Sequence, residues 1–526
     1  MTNPPGHRRA GLLIPLFACP SSTSWGIGEI GDLEPIAAWL AGAGQHMLQL
    51  LPTNEMAPGQ QSPYSAISAM AIDPIFISMR AVSDFESLGG EASLSADDRA
   101  QLAEVRRARV IQHAQVRAVK QRALRAAFDR FHDAEWSRDT DRARALRQFL
   151  SEQAWWIEDY AIFRALHAHE GERPWTEWPA ALQRREPAAI DHARRELARD
   201  VLFFQYLQWL AATQWVEARR RMHGVALFGD LPFMVDGDSA DVWARQYQFR
   251  LDASIGAPPD AFSDHGQDWG MPVYRWDVIA GEHFRWLRER ARRGADLYDG
   301  YRVDHLVGFY RTYGRPRDGG EPFFTPSVEA EQVKLGEHVL ALFRDAGAEI
   351  IAEDLGTVPD FVRESMARIA VPGFKIFRWE REWHTSGQPF RDPAVYPQVS
   401  VAASGTHDTE TLAAWWDSAP PAERQMIAGL PTIARVMNGR GSIDRPFDAG
   451  VRDVILEALS ASGSDLVILP VQDVFGWRDR INEPAVMGTH NWVFRLPWDA
   501  DRLNEEPEAR ERQAALRVWS QRHDRG

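Results

Sequence analysis

Short apolar runs, each followed by polar residues, recur along the whole chain. Eight of them read as β-strands: residues 11–17, 46–53, 225–233, 300–309, 348–356, 374–381, 399–408 and 466–473. Most are near-continuous apolar stretches, a pattern typical of parallel strands covered on both faces. Helical periodicity lies between them, as at 32–44, 282–295 and 331–347. Eight strands alternating with helices predict an α/β fold, a (β/α)8 TIM barrel.

The spacing of these strands is uneven and predicts insertions. Roughly 170 residues separate the second and third strands, too many for a plain connection. The chain from 85 to 200 is helix-rich and charged, and we interpret it as an inserted helical subdomain. The predicted division is 1–84 for the barrel start with two strands, 85–200 for the insertion, 201–500 for the remaining barrel with a long loop at 256–277, and 501–526 for a polar tail.

The basic stretch 105–131 within this insertion has two readings. Its arginines could indicate contact with nucleic acid. Apolar positions nevertheless recur at helical spacing: Ala108, Ile111, Ala114, Ala118, Leu124, Phe128 and Phe131. That pattern favours an amphipathic helix with a solvated arginine face.

Composition narrows the class of protein. The 526 residues are 44% hydrophobic and 25% charged, which is ordinary for a globular chain. The net charge of −14 disfavours nucleic acid and anionic membrane as partners. Cys19 is the single cysteine, so an internal disulfide is impossible and a reducing, cytoplasmic location is expected. The apolar run after Arg9 is short and broken by Pro15, so it reads as a first buried strand rather than a signal peptide.

Carboxylates stand at four of the predicted strand ends. They are Asp230, Asp304, Glu353 and Asp408, and beside Glu353 stands Asp354, which is expected to cap or orient a loop rather than to react. In a barrel of this kind the residues at the C-terminal ends of strands form the active site, so we expect these side chains to converge. Carboxylates without clustered cysteine or histidine indicate either a divalent metal site or glycoside cleavage by a nucleophile and a proton donor.

Arg302 helps to decide between these chemistries. It precedes Asp304 by two residues, and alternate residues of a strand face the same side. A guanidinium is badly placed beside a metal cation, but it holds a carboxylate ionised and oriented. The pair therefore predicts that Asp304 is a nucleophile aimed at a sugar carbon.

Other segments carry groups that suit an oligosaccharide. Tyr64, in the loop after the second strand, offers a stacking face, and the long loop offers aromatic and hydroxyl-binding groups, namely Asp260, Phe262, Gln267 and Trp269. Taken singly, each candidate has a structural reading. Arg302 and Asp304 could form a plain ion pair, His407 could cap or pack, and Trp269 or Tyr64 could belong to the core. The joint pattern favours a functional site.

Eight segments together resemble one family. They are "SWGIGEIGDL", "SPYSAISAM", "FGDLPFMVDGDSADVW", "PPDAFSDHGQDWGMPVYRW", "YRVDHLVGF", "IAEDLG", "GTHD" and the "NW" at 491–492. From about residue 10 to about 497 the chain resembles the 4-α-glucanotransferases, called amylomaltases or disproportionating enzymes, which form family 77 of the glycoside hydrolases in the α-amylase clan. The chain departs from the family pattern in the Tyr64 loop, where it has "SPYSAISAMAIDP", in "NEPAVMGT" near the C-terminus, and at two further places. Thr409 and Glu410 follow "GTHD" where the family has "ND", and Met271 replaces an amide residue.

The resemblance implies roles for the site residues. Asp304 looks like the nucleophile, Glu353 like the general acid/base and Asp408 like the transition-state stabiliser. The remaining matches are to substrate-binding positions: Tyr64, Asp230, Arg302 and His407 around the reacting sugar, and Asp260, Gln267, Trp269 and Asn482 near neighbouring glucose units. Phe262, in the same loop, is expected to bind substrate on its aromatic character alone. The family is not known for a required metal or organic cofactor, so neither is expected.

The resemblance also implies a reaction. A retaining double displacement would transfer an α-1,4-glucan segment to the 4-hydroxyl of another glucan or of glucose, with the two principal carboxyl groups about 5–5.5 Å apart. Maltooligosaccharides are then the expected partners, in glycogen, starch or maltodextrin metabolism. Two alternatives remain open: an α-glucan hydrolase using the same site, and a non-catalytic glycan-binding protein on this scaffold.

Overall fold

A closed barrel of parallel strands forms the centre of the molecule. The structure is a computed structural model that describes residues 8–259, 266–439, 441–484, 486 and 488–526. Its strands are β1 (Arg9–Leu13), β2 (Met47–Gln49), β3 (Ala226–Leu231), β4 (Phe249–Ala257), β5 (Gln267–Tyr274), β6 (Gly300–Val303), β7 (Thr312–Pro316), β8 (Phe323–Thr325), β9 (Glu349–Ala352), β10 (Gly373–Ile376), β11 (Ser400–Ala403) and β12 (Leu466–Pro470). Among the described residues, eight strands close the barrel in the order β1-β12-β11-β10-β9-β6-β3-β2.

This barrel confirms the predicted (β/α)8 fold and each of the eight predicted strands. The strands are shorter than the apolar runs, chiefly at their C-terminal ends. β6 stops at Val303, and His305 takes a positive φ of 45°, which turns the chain out of the sheet. Asp304 therefore lies just beyond the strand rather than within it. In the same way, the run 399–408 leaves the sheet after Ala403 and continues as a loop.

Helices surround the barrel and cover its outer face. They are α1 (Leu33–Gly42), α2 (Ser83–Ser87), α3 (Ala96–Arg107), α4 (His113–Ala134), α5 (Asp141–His169), α6 (Ala180–Gln183), α7 (Pro187–Glu196), α8 (Ala198–Arg220), α9 (Ala240–Ala244), α10 (Trp276–Gly281), α11 (Arg285–Leu297), α12 (Val307–Tyr310), α13 (Glu329–Asp345), α14 (Asp360–Arg368), α15 (Leu412–Ser418), α16 (Pro421–Ala428), α17 (Pro431–Met437), α18 (Ala449–Ser460), α19 (Val471–Phe475) and α20 (Pro507–Arg522). No helix in the described part of the chain is long and apolar enough to cross a membrane.

The long connection between β2 and β3 is filled by α2 to α8. Two of these helices begin at side-chain caps: the Ser95 hydroxyl accepts the Asp98 N–H ahead of α3, and the Thr140 hydroxyl accepts the Ala143 N–H ahead of α5. The predicted amphipathic helix in the basic stretch exists as α4, with Leu124 among its buried residues.

The buried face of α4 differs in part from the predicted one. Ala108 and Ile111 precede the helix, Ala114 is exposed, and the N-terminal half instead buries Val116 and Val119. The reason is that Ala114 and Ala118 are not at helical spacing from Leu124, so the two predicted apolar groups lie on different faces of one helix. The basic residues are also less solvated than expected.

Two basic residues of α4 anchor it to the barrel loops. The Lys120 ammonium is buried, donates to the carbonyls of Ile75 and Ile77, and lies 2.6 Å from Glu29. Arg117 makes two hydrogen bonds to the Asp73 carboxylate, at 2.9 and 2.7 Å. These two basic residues therefore bind the inserted helices to the barrel loops. The sequence did not indicate this role.

A second sheet covers one side of the barrel mouth. Its four antiparallel strands are ordered β5-β4-β7-β8. The prediction of a long loop at 256–277 is wrong in part. β4 extends to Ala257, and β5 occupies Gln267–Tyr274. Glycine, proline and aspartate in this stretch read as turn residues, but cross-strand pairing with β4 overrides that local preference.

Candidate active site

Two neighbouring strands place an arginine between two carboxylates. Asp230 on β3 lies opposite Arg302 on β6 in the parallel register, and both side chains are buried. Arg302 Nη1 lies 2.8 Å from both Asp230 oxygens, and Nη2 lies 2.7 Å from Asp304 Oδ1. The Asp304 backbone N–H donates to Leu231 O at 3.0 Å, which ties the turn after β6 to the end of β3.

The pairing gives Arg302 a fixed charge and aims both carboxylates. Burial lowers the pKa of Arg302, but Asp230 and Asp304 outweigh it and raise that pKa above its usual range. A guanidinium held in this way occupies the space where a metal shared by the two carboxylates would have to lie. Within the described residues, no group of three or more His, Cys, Asp or Glu side chains is arranged to hold a metal ion.

Tyr64 and His407 close one wall of the site. Tyr64 donates its hydroxyl to Asp230 Oδ2 at 2.7 Å, and its oxygen lies 3.0 Å from His407 Nε2. The two rings are stacked with centroids 5.4 Å apart. Burial, followed by the charge of Asp230, raises the pKa of Tyr64 well above its usual value, so the phenol stays protonated and donates.

Asp408 is held as an anion at the edge of this wall. It follows β11 in the loop 404–411, and Asn482 Nδ2 donates to its Oδ1 at 2.7 Å while His407 Nε2 lies 3.1 Å from its Oδ2. Burial raises the pKa of Asp408, but His407, Asn482 and Arg302 outweigh it and hold that pKa at about 2. Its side chain remains 40% exposed, so it faces the cleft.

Asp473 fixes the loop that carries His407 and Asp408. Its buried carboxylate accepts from the Ser404 hydroxyl and from the Leu412 N–H, each at 2.6 Å. These bonds clamp the loop at its two ends. Asp473 follows β12, so a residue beyond the last barrel strand positions the loop that follows β11.

Glu353 differs from Asp408 because its surroundings favour the protonated form. It follows β9 directly and accepts the N–H groups of His305 at 2.8 Å and Leu355 at 3.0 Å. Burial raises its pKa to about 7, opposed by Arg302 and assisted by Asp304. Its neighbour Asp354 points elsewhere and accepts the Phe374 N–H of β10 at 2.8 Å.

The predicted sugar-binding residues of the second sheet reach the site through His305. The Trp269 ring meets the His305 ring edge-on at 4.8 Å, and Trp269 Nε1 donates to Gln267 Oε1 at 3.0 Å. The His305 backbone in turn holds Glu353, as described above. Asp260 and Phe262, predicted in the same segment, lie outside the described residues.

Three further residues join the site without having been singled out. Burial lowers the pKa of His305 to about 4, so its ring is neutral between Trp269 and the carboxylates. Trp492 packs against Tyr64 at 5.8 Å and His407 at 5.9 Å. Arg480 donates to the Asp408 carbonyl at 3.0 Å. His305 and Trp492 fall within two of the eight family segments, so the resemblance could have identified them. Nothing in the sequence pointed to Arg480.

Comparison with known proteins gives a consistent result across the chain. The sequence profile of glycoside hydrolase family 77, described as 4-alpha-glucanotransferase, matches residues 14–501. A 4-alpha-glucanotransferase from Thermus thermophilus is 31% identical over 96% of this chain and 99% of its own length. Another from Chlamydia pneumoniae is 30% identical over 92% of this chain and 91% of its own.

A solved structure agrees with these sequence matches. The amylomaltase from Streptococcus agalactiae, determined in complex with acarbose, superposes with a TM-score of 0.81 at 27% identity. The match covers 99% of this chain and 100% of that one. The similarity therefore spans the barrel, its insertions and the site together.

Proposed function

Because the chain belongs to the 4-α-glucanotransferases of glycoside hydrolase family 77, we propose that it moves a segment of an α-1,4-glucan to the 4-hydroxyl of another glucan or of glucose by a retaining double displacement. The observation that carries this proposal is a contrast between two carboxyl groups. Arg302 pairs with Asp304 at 2.7 Å, whereas Glu353 has its pKa raised to about 7 by burial. One group is suited to attack a sugar carbon and the other to deliver a proton.

In the first step, an Asp304 oxygen attacks C1 of the donor glucose unit. The bond from C1 to the glycosidic oxygen breaks, and Glu353 gives its proton to that oxygen, so the reducing-end fragment leaves as an alcohol. Arg302 pairs with Asp304 and aims it, and Asp230 keeps Arg302 in place. The product of this step is a β-linked glycosyl ester on Asp304.

In the second step, Glu353 acts as a base. Its carboxylate takes the proton from the 4-hydroxyl of an acceptor glucan, and the acceptor oxygen attacks C1 while the ester bond to Asp304 breaks. Two inversions restore the α configuration. The glucan product leaves with a new α-1,4 bond, and both carboxyl groups return to their starting states.

Asp408 stabilises the positive charge that develops on the sugar between these states. A carboxylate with a pKa of about 2 stays negative throughout the working pH range. Asn482 and His407 hold it, while Tyr64 and His407 shape the wall beside the reacting sugar. Trp269 and Gln267, together with Asp260 and Phe262, are proposed to contact neighbouring glucose units.

The expected setting is carbohydrate metabolism inside the cell. The only cysteine, Cys19, is buried and unpaired, which suits a reducing compartment such as the cytoplasm. Glycogen, starch or maltodextrin chains and their shorter maltooligosaccharides are the proposed substrates.

The proposal is tested with maltotriose as both donor and acceptor. Transfer yields glucose or maltose together with maltotetraose and longer chains, and the total number of reducing ends stays constant. A rise in reducing ends in step with maltotriose loss would instead establish hydrolysis and contradict transfer as the main activity. The Asp304→Asn variant is the matched control, because it keeps the side-chain shape while removing the nucleophile.

A further inference from the structure

His305 lies in a left-handed turn directly after Asp304. Its φ of 45° lies in a region that costs a non-glycine residue free energy, so this conformation persists only where the surroundings impose it. The residues on either side are tied to neighbouring strand ends. The Asp304 N–H donates to Leu231 O at 3.0 Å, and the Leu306 N–H donates to Glu353 O at 3.2 Å. The turn after β6 is thus joined to the ends of both of its barrel neighbours, β3 and β9.

This turn presents one backbone N–H to Glu353, the proposed acid/base. The His305 N–H donates to Glu353 Oε2 at 2.8 Å, and the Leu355 N–H donates to Oε1 at 3.0 Å. Within the described residues, these are the two hydrogen bonds that the Glu353 carboxyl group accepts. The Leu355 bond lies inside the loop of Glu353 itself. The His305 bond is therefore the one that ties this carboxyl group to the strand that precedes Asp304.

The His305 ring is held by packing. Its ring contacts are with Phe233, at a centroid distance of 5.9 Å, and with Trp269, which meets it edge-on at 4.8 Å. Its nitrogen atoms make no hydrogen bond to any residue that the structure describes. A ring that is held in this way can be replaced by another ring of similar size, whereas its removal leaves the turn without side-chain support.

Both neighbours of the ring are themselves fixed. Phe233 is fully buried and packs against Phe309 at a centroid distance of 5.2 Å. Trp269 lies on β5, and its Nε1 donates to Gln267 Oε1 at 3.0 Å. A shift of the His305 ring toward either neighbour must displace a ring that is already held. The ring therefore supports the turn, and with it the direction of the backbone N–H.

The His305 N–H favours the charged form of Glu353. Burial raises the pKa of Glu353 to about 7, and Arg302 and the two backbone N–H groups oppose that rise. A weaker His305 bond removes one of the opposing contacts, so the pKa of Glu353 rises further. The proposed reaction uses Glu353 first as an acid and then as a base. A pKa far above 7 leaves too little carboxylate for the second step.

We propose that His305 is a positioning residue for Glu353: its ring, seated against Phe233 and Trp269, holds the turn whose N–H fixes the Glu353 carboxyl group. The inference rests on the proposed role of Glu353 and gives Trp269 a second role beside its proposed contact with sugar. No hydrogen bond joins Trp269 to Glu353 in the part of the chain that the structure describes. A change at Trp269 should nevertheless alter the titration of Glu353, even before sugar binds.

The pH dependence of kcat/KM tests this role, because its alkaline limb reports the pKa of the acid in the free protein. Wild type, His305→Ala, His305→Gly, His305→Phe and Trp269→Ala are assayed with maltotriose. We expect the limb to move upward by about one pH unit in His305→Ala and His305→Gly, because a hydrogen bond to a charged group weakens. In Trp269→Ala the shift should be about half a unit, since the Phe233 contact remains.

Two of these variants separate the ring from the backbone. Glycine adopts a positive φ readily but has no ring, so a shift in His305→Gly assigns the effect to the ring. His305→Phe keeps a ring of similar size, and its limb should stay within about 0.3 pH unit of wild type. His223→Ala is the matched control, because His223 also has a left-handed φ, of 52°, but is exposed in the turn between α8 and β3. Its limb should coincide with that of wild type.

Two results overturn the inference. One is a wild-type limb in both His305→Gly and Trp269→Ala, even with a raised KM, because the two rings would then be sugar contacts only. The other is a shift in His305→Phe as large as that in His305→Gly, because ring packing would then not hold the turn. Circular dichroism checks that each variant is folded. Failure of the proposed function is recognised separately, because wild type itself then forms no transfer products.

Discussion

Arg302 Nη2 lies 2.7 Å from Asp304 Oδ1 while Nη1 of the same guanidinium holds both oxygens of Asp230. Both Nη atoms of this buried arginine pair with carboxylates, so the planar fork spans two strands, while its Nε has no hydrogen-bond partner among the described residues. Asp230 is deeply buried, whereas Asp304 faces the cleft. Asp230 thus holds Arg302 in place, and Arg302 in turn holds Asp304.

Arg302→Lys is expected to lower kcat/KM at least about 100-fold, because a lysine ammonium cannot span both carboxylates. The transfer rate with maltotriose gives the measurement. Arg512→Lys serves as the control, since Arg512 is an equally buried arginine paired with Asp453 away from the site. Retention of more than half the wild-type kcat/KM by Arg302→Lys would contradict the role assigned to the fork.

The pH dependence of transfer should show an alkaline limb near pH 7. Glu353 must carry a proton to assist the leaving oxygen, and burial raises its pKa to about 7. kcat/KM should therefore fall about tenfold per pH unit above that value. With α-maltotriosyl fluoride as donor, whose leaving group needs no proton, the limb of the first step should disappear. A profile that stays flat to pH 9 with maltotriose would rule out Glu353 as the acid.

Asn482 should act through the charge of Asp408. Removing its 2.7 Å hydrogen bond in Asn482→Ala is expected to lower kcat about tenfold, because a hydrogen bond to a charged group contributes roughly 1.5–3 kcal/mol. Asn482→Asp should lose more, since a second negative charge raises the pKa of Asp408 from about 2. Asn504→Ala, at an exposed position away from the site, is the control. Equal losses in the Ala and Asp variants would count against an electrostatic role.

The buried His167 should make folding stability depend on pH. Its Nδ1 lies 2.6 Å from Glu172 and its Nε2 3.0 Å from Asp238, which joins the end of α5 to the loop after β3. Burial lowers the pKa of His167, but the two carboxylates outweigh it and raise that pKa above 6.5. A raised pKa means that this stabilisation is complete below pH 6.5 and is lost as the pH rises through the folded-state value.

His167→Gln should then lower the free energy of unfolding by about 1–3 kcal/mol at pH 6, and by less at pH 9. Urea denaturation at both pH values measures the difference. His192→Gln changes an exposed histidine on α7 and provides the comparison. A loss that is larger at pH 9 than at pH 6 would reverse the expected sign.

The barrel and its site could be anticipated because both depend on local patterns. Runs such as 225–233 are apolar over the length of a strand, and their polar ends fall at the rim where parallel strands finish. Asp230, Asp304, Glu353 and Asp408 could therefore be placed near one another from sequence order alone. The C-terminal ends of the strands could not be predicted as closely. β6, for example, ends where His305 takes a positive φ, and the apolar pattern does not indicate that turn.

Features set by long-range pairing could not be read in the same way. β5 pairs with β4 although its residues favour turns and show no regular alternation, whereas β4 does alternate apolar and polar residues from Phe249 to Ile255. The stacking of His407 on Tyr64 joins residues 343 positions apart. The contact of Arg480 with the Asp408 carbonyl likewise depends on how two loops meet, which no local pattern records.

Trapping the glycosyl-enzyme tests the central claim, that Asp304 carries the glucan, most directly. Glu353→Gln protein is incubated with α-maltotriosyl fluoride, which can load the enzyme without an acid while the missing base slows release. Peptic digestion at acid pH and mass spectrometry should then find a maltotriosyl group on the segment 301–311, whose only carboxylate side chain is Asp304. The Asp304→Asn/Glu353→Gln double variant should stay unlabelled. A label on any other residue, or fluoride release from the double variant at the single-variant rate, would contradict the account.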